Sequence, residues 1–399
     1  MIEKIDAEIP YSEYRLRNDR AKELMKKHGI DALLLFCHQN VNYYTGWRDT
    51  WFYSFLRGAV IPREGEPVLI VPGLTYHPAS KFTYVEDVVL WEEANPAVNA
   101  VKVVVEKLNK MGLANKTIGL EMGVGMYMSG ATLAEISAIK EGLPKAKFVD
   151  AAPMIWEQRR IKTSWEIEIF RKLCKIVIRG YLRGLNLCRA GVTVRDIQTE
   201  IWKSFVGDGL ADSPMKGQVI MRYHSRGEHT PAGCYRATDH VMKEGDMLML
   251  DGGPTLKGYE TDVQRQACIG EPTKMVKELH ELVRVGFDAL EQILRPGIPI
   301  KETFLVPVEA MRKHKPGLQF PWKFMGHSVG LQIHEFPWLI AEEETIIQPG
   351  MIFSVEIPGY DIPEWREMGS FPEDMYLITE KGFENLTLTP EFPREIFVR

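Results

Sequence analysis

The sequence is short of the features that mark several protein classes. Its five cysteines, Cys37, Cys174, Cys188, Cys234 and Cys268, are odd in number, scattered and without CxxC spacing. They read as reduced thiols, which excludes a disulfide framework or a zinc knuckle and points to the cytoplasm. No run approaches the roughly 18 apolar residues of a membrane span. The opening MIEKIDAEIPYSEYRLRND is acidic and polar where a signal peptide needs basic and then apolar residues. Basic excess is missing too: 49 Lys and Arg stand against 54 Asp and Glu, a net charge of −5, with no Lys/Arg cluster. Neither nucleic acid nor membrane is an expected partner. Low-complexity tracts and sequence repeats are absent.

What is present is a globular composition, 45% hydrophobic and 26% charged over 399 residues. That length suggests roughly two to three domains. Over residues 10–150 helical and strand patterns alternate. YSEYRLRNDRAKELMKKHG is amphipathic and stops at Gly29, and DALLLF, GAVIP and PVLIVP read as strands. Helical Pro96–Lys110, strand-like TIGLEM, a helix near Met128–Lys140 and strand-like KFVDA follow. This predicts an α/β domain over residues 1–155. Residues 156–399 read as α+β: a long helix from Lys162 to Cys188, capped by Thr163 or Ser164 with Glu166 in its first turn, then a helix near Thr193. Short strands (GQVIM, DMLMLDGG, TDVQRQACIG, FSVEI, MYLIT) surround helices at about 273–294 and 300–314.

The residues that carry chemistry lie in this second half. MLMLDGG ends in Asp251 and YETD in Asp262, eleven residues apart on what reads as a hairpin. GHSVGLQIHEFP carries His327 and His334, seven apart; GMIFSVEIPG sets Glu356 on a strand and FPEDMYLIT sets Glu373 at the head of another. Taken alone, Asp251 or Glu356 is a strand-end carboxylate or an ion-pair partner. As an ordered set, four carboxylates and an imidazole suit hard or borderline divalent cations, Mn, Fe, Co or Zn, and would neutralise two of them. Two ions about 3.5 to 4 Å apart can share one nucleophile.

At these residues the chain resembles the aminopeptidase P, prolidase and creatinase superfamily, whose catalytic domain has the pita-bread fold. NYYTG, RRIKTSWEIEIF and the Asp, Asp, His, Glu, Glu order carry the resemblance along nearly the whole chain. It implies that Asp251 chelates one metal, Asp262 and Glu373 bridge the pair, and His327 with Glu356 completes the second. It also implies that His334 bonds the substrate and that Glu356 shuttles a proton. Two departures bear on substrate. Cys234 stands where family peptidases have a second histidine, with His229 nearby as a possible substitute, and Phe371 stands where many have an arginine. A thiol is a weaker donor than an imidazole, so Cys234 leans the expectation towards a small non-peptide amide or amidine over an Xaa-Pro peptide. Cys234 as a covalent nucleophile is the other role open to it.

Gly253 stands where the superfamily's DMSP lyase has an additional aspartate, and the full metal set separates the chain from creatinase and ectoine hydrolase. The aromatic segment WRDTWFYSFLRG, with Trp47, Trp51 and Tyr53, reaches a partner's active site in family dimers; it reads as substrate contact or as dimer surface. Trp338, after HEFP, has the same two readings. The expectation is therefore a homodimeric, dinuclear metal hydrolase for a small molecule or short peptide. A metal-dependent lyase and a non-catalytic binding module are the alternatives.

Overall fold

A computed structural model describes residues 9–48, 55–92, 96–123, 131–208, 219–224, 237–319, 323–357 and 372–399. The chain divides into two compact units, Met1–Arg159 and Arg160–Arg399.

The first unit runs α1 (Tyr11–His28), β1 (Ala32–Leu35), α2 (His38–Thr45), β2 (Gly58–Pro62), β3 (Val68–Pro72), α3 (Gly73–Phe82), β4 (Asp87–Trp91), α4 (Pro96–Lys110), β5 (Thr117–Leu120), α5 (Leu133–Gly142), β6 (Lys147–Asp150) and α6 (Ala152–Arg159). Six strands form one mixed sheet in the order β4-β3-β2-β1-β5-β6. Every residue of β1, β2 and β3 is buried, as expected for continuous apolar runs covered on both faces. The α1 pattern ends at Gly29, whose φ of 67° is the left-handed cap that glycine adopts without strain. Helix α2 has no amphipathic signal of its own. Its N-terminus is capped from far along the chain, because the Glu121 carboxylate accepts the Phe36 and Cys37 N–H groups at 2.7 Å each.

The second unit opens with α7 (Ser164–Leu187), entered through a reciprocal Thr163–Glu166 capping box, and α8 (Val194–Lys203), entered through a Thr193–Asp196 box. Then come β7 (Val219–His224), β8 (Met247–Gly252), β9 (Thr255–Leu256), β10 (Tyr259–Glu260), β11 (Arg265–Cys268), α9 (Lys274–Ile293), α10 (Glu302–His314), β12 (Phe324–Ser328), β13 (Glu335–Ile340), β14 (Ile352–Glu356), β15 (Glu373–Thr379), β16 (Gly382–Asn385) and β17 (Phe397–Val398). A four-stranded sheet has the order β17-β11-β8-β7 and a five-stranded one β13-β12-β14-β15-β16. A bridge between Gln264 and Glu373 joins them. The apolar face of α9 (Val276, Leu279, Val283, Phe287, Leu290) packs in one core with Phe353 and Val355 of β14 and Tyr376 and Ile378 of β15. At Gly286 a Cβ would lie 2.6 Å from Ile357 Cδ1, so a larger residue would make that side chain move aside. This helix backs the strands on which Glu356 and Glu373 stand.

Candidate metal centre

Five strand and loop positions converge in the second unit. Asp251 is the penultimate residue of β8, Asp262 follows β10, His327 lies in β12, Glu356 ends β14 and Glu373 begins β15. Glu356 and Glu373 are direct partners across the antiparallel ladder, and His327 pairs with Ser354 on the neighbouring strand. The close approach of β12 to β14 depends on Gly326, whose φ is 138° and whose Cβ would stand 2.1 Å from the Ser354 carbonyl oxygen.

The ligand atoms fall into three overlapping groups, each within 4.8 Å: Asp251, Asp262 and Glu373; His327, Glu356 and Glu373; and Asp262, His327 and His334. The first two share Glu373, which is the arrangement two adjacent cations need. His334 Nε2 lies 4.0 Å from Asp262 Oδ2, and its half-exposed ring stacks on Trp338 at 5.4 Å and 20°. Trp338 thus meets the centre through both histidines, its ring also lying 5.3 Å from that of His327.

Polar chemistry tests the fit. His327 is fully buried, and its Nδ1 donates to the Ser328 carbonyl at 3.0 Å, which leaves the lone pair on Nε2. Among the described residues that Nε2 has no hydrogen-bond partner, and it faces Asp262 Oδ2 at 3.6 Å. An orphaned buried acceptor costs about 1–3 kcal/mol, and a cation would satisfy it. Burial, followed by His334, lowers the His327 pKa to about 3, so the ring is neutral and ready to ligate. Burial and then the neighbouring carboxylates raise the pKa values of Asp262 and Glu373 well above the usual range. These residues fit divalent metal: crowded carboxylates beside a lone-pair nitrogen make a cation site.

Sequence reasoning missed the groups that hold this set. The Ser354 hydroxyl lies 2.9 Å from Glu373 Oε1 and 2.7 Å from the Asp262 carbonyl. Its only signal in the sequence was its place two residues before Glu356, on the same face of the strand. Tyr181 donates its hydroxyl to the Gly252 carbonyl at 2.9 Å, fixing the end of β8 beside Asp251. At Gly253 a Cβ would lie 2.1 Å from Thr261 Oγ1, so this backbone has no room for the aspartate of the lyase pattern.

Among the other candidates, Trp47 is packed within the first unit, 7% exposed. Trp51, Tyr53, His229, Cys234 and Phe371 lie outside the described residues.

The model of metallopeptidase family M24 matches residues 168–380, more than half of the chain. The chain belongs to family M24. Residues 17–161 match the creatinase/prolidase N-terminal domain. The chain is similar to the Xaa-Pro dipeptidase of Pyrococcus furiosus, 28% identical over 374 residues covering 94% of this chain and 98% of that one. Among solved structures it resembles the X-Pro aminopeptidase of Thermotoga maritima (TM-score 0.76, 25% identity, 96% and 100% of the two chains). The prolidase of Thermococcus sibiricus shares the fold at a TM-score of 0.81, with 23% identity and 97% and 99% covered. This M24 chain is thus a metal-dependent hydrolase with a creatinase-type N-terminal domain and a pita-bread catalytic domain. The lyase and binding-module readings give way to it. Divalent metal is its cofactor. No helix among the described residues is long and apolar enough to cross a membrane.

Proposed function

We propose that the chain is a dinuclear metal peptidase that hydrolyses the C–N bond of small Xaa-Pro peptides. The observation that carries this reading is the pair of ligand groups sharing Glu373, with the unpartnered His327 Nε2 aimed into them. Asp251, Asp262 and Glu373 would hold one ion, and His327, Glu356 and Glu373 the other, drawn from Mn, Fe, Co and Zn. Bound divalent cations supply Lewis acidity and a nucleophile at neutral pH.

The chain's own groups do the rest. Glu356, only half-buried at its strand end, takes up and returns the proton at its carboxylate. The exposed edge of His334, steadied by the Trp338 face, donates to the substrate carbonyl. The curated Xaa-Pro dipeptidases turn the choice of substrate towards the peptide, against the lean that Cys234 introduced. A homodimer in the cytoplasm completes the proposal. The four described cysteines are buried free thiols, which supports a reducing compartment.

The test loads the protein with Mn²⁺ or Co²⁺ and assays Xaa-Pro dipeptides beside Cys234→His. Peptidase function predicts kcat/KM on the order of 10⁴ M⁻¹s⁻¹ or more for the unsubstituted chain. A value about a hundredfold lower, restored by Cys234→His, moves the assignment to a non-peptide amide.

A further inference from the structure

The junction motif RRIKTSWE contributes no ligand, yet its side chains reach the back of the histidine hairpin. Lys162 Nζ donates to Ser328 Oγ at 3.1 Å and faces Glu335 Oε2 at 3.6 Å, and both charged side chains are 1% exposed. Ser328 follows His327 in the chain, and Glu335 follows His334. One buried ammonium therefore holds the two residues next to both active-site histidines.

The loop between them is wrapped onto the same carboxylate. Glu335 Oε1 accepts the Gln332 N–H at 3.3 Å, and at Gly330 a Cβ would stand 2.3 Å from that oxygen. The other side is tied as well: the Glu260 N–H donates to the Gly330 carbonyl at 2.8 Å, and Tyr259 donates its hydroxyl to Glu166, the capping residue of α7.

Burying two charges costs several kcal/mol per ion, and a well-packed apolar pair often serves stability as well or better. What an ion pair adds is a single register. The β12–β13 ladder does not carry one register through His327 by itself, because its pairing shifts between Phe324 and His327 and again between His327 and Ser328. A slipped strand turns its side chains to the wrong face. We infer that Lys162 and Glu335 are positioning residues that set the register of this hairpin and so hold His327 and His334 at the centre. The inference rests on the metal reading above.

Lys162→Met/Glu335→Gln removes both charges, keeps the length of residue 335 and shortens residue 162 by one heavy atom. Co²⁺ titration followed by visible absorption, beside urea unfolding of the chelated protein, separates positioning from stability. The double variant is expected to unfold near the unsubstituted midpoint but to bind Co²⁺ about 10–100-fold more weakly, with an altered spectrum. Leu290→Ala, in the buried face of α9, is the control: it lowers the midpoint and leaves Co²⁺ affinity unchanged. A folded double variant with unaltered affinity and spectrum overturns the inference. Where that variant does not fold, Glu335→Gln alone carries the test, with Co²⁺ binding about 10-fold weaker in support and unchanged binding against. Failure of the unsubstituted protein to bind Co²⁺ removes the metal reading, and this inference with it.

Discussion

Glu373 and Asp374 are neighbours on β15, both buried, and as successive strand residues they face opposite ways. Their surroundings are opposite in charge. Asp374 accepts Arg265 at 2.7 Å, Thr387 at 2.8 Å, Arg394 at 2.6 Å and Asn385 at 3.2 Å. Burial alone would raise its pKa, but Arg265 and Arg394 hold its carboxyl well below the usual range. Glu373 has the Ser354 hydroxyl and three other carboxylates, and burial with their repulsion pushes its pKa up. One face of the strand carries its own counter-charge from within the chain. The other is a set of candidate ligands whose counter-charge would come from solution, and this difference separates a structural charge cluster from a proposed binding site.

Three substitutions sharpen or break that contrast, beginning with the largest effect. Asp374→Asn keeps the shape but leaves the Arg265 guanidinium, 0% exposed, without its carboxylate. It is expected to destabilise the protein by about 3–5 kcal/mol in urea unfolding, with or without metal. A loss under about 1 kcal/mol would mean that the cluster is not self-contained.

Glu373→Gln should behave in the opposite way. In chelator it relieves crowding among buried carboxylates and raises the melting temperature, by roughly 2–4 °C for each 1 kcal/mol of repulsion removed. In saturating Mn²⁺ the same variant melts below the unsubstituted protein, since a ligand of the proposed centre is lost. Equal lowering in both conditions would erase the distinction between the two faces.

The smallest effect concerns His280, which tolerates burial by remaining neutral. Its ring nitrogen bonds Gln266 at 2.8 Å, and burial lowers its pKa from 6.5 to about 4. Because the folded pKa is the depressed one, the unfolded chain binds the extra proton between these values. Its contribution is therefore full above about pH 6.5 and falls as pH drops towards 4, by at most about 1.4 kcal/mol per pH unit. His280→Gln should flatten that part of the stability profile, measured by urea midpoints in chelator. An unchanged slope would show that the ring titrates normally.

Much of the frame was legible in the sequence because the signals are local. The Gly29 stop, the Thr163 and Thr193 caps, the alternation of the first unit and the Pro96–Lys110 helix depend on neighbours a few residues away. Helix α2 was not legible, since its cap is Glu121, about eighty residues downstream. The helix expected near Met128–Lys140 is described only from Leu133, running to Gly142, where the Thr132–Glu135 capping box sets its start.

The ordered carboxylates and histidines named the candidate ligands, because their residue types at those strand ends have one common chemistry. Sequence alone determined the inventory: a metal-competent set and the family pattern. Tertiary structure decided what each charge meets. That Asp374 finds two arginines while Glu373 finds three carboxylates, and that Lys162 lies under Ser328 and Glu335, follows from pairing between segments far apart in the chain, Arg265 with Asp374 and Lys162 with Glu335 among them. No local rule fixes such pairings, since a buried charge is settled by whatever the packed core brings within a few ångströms of it.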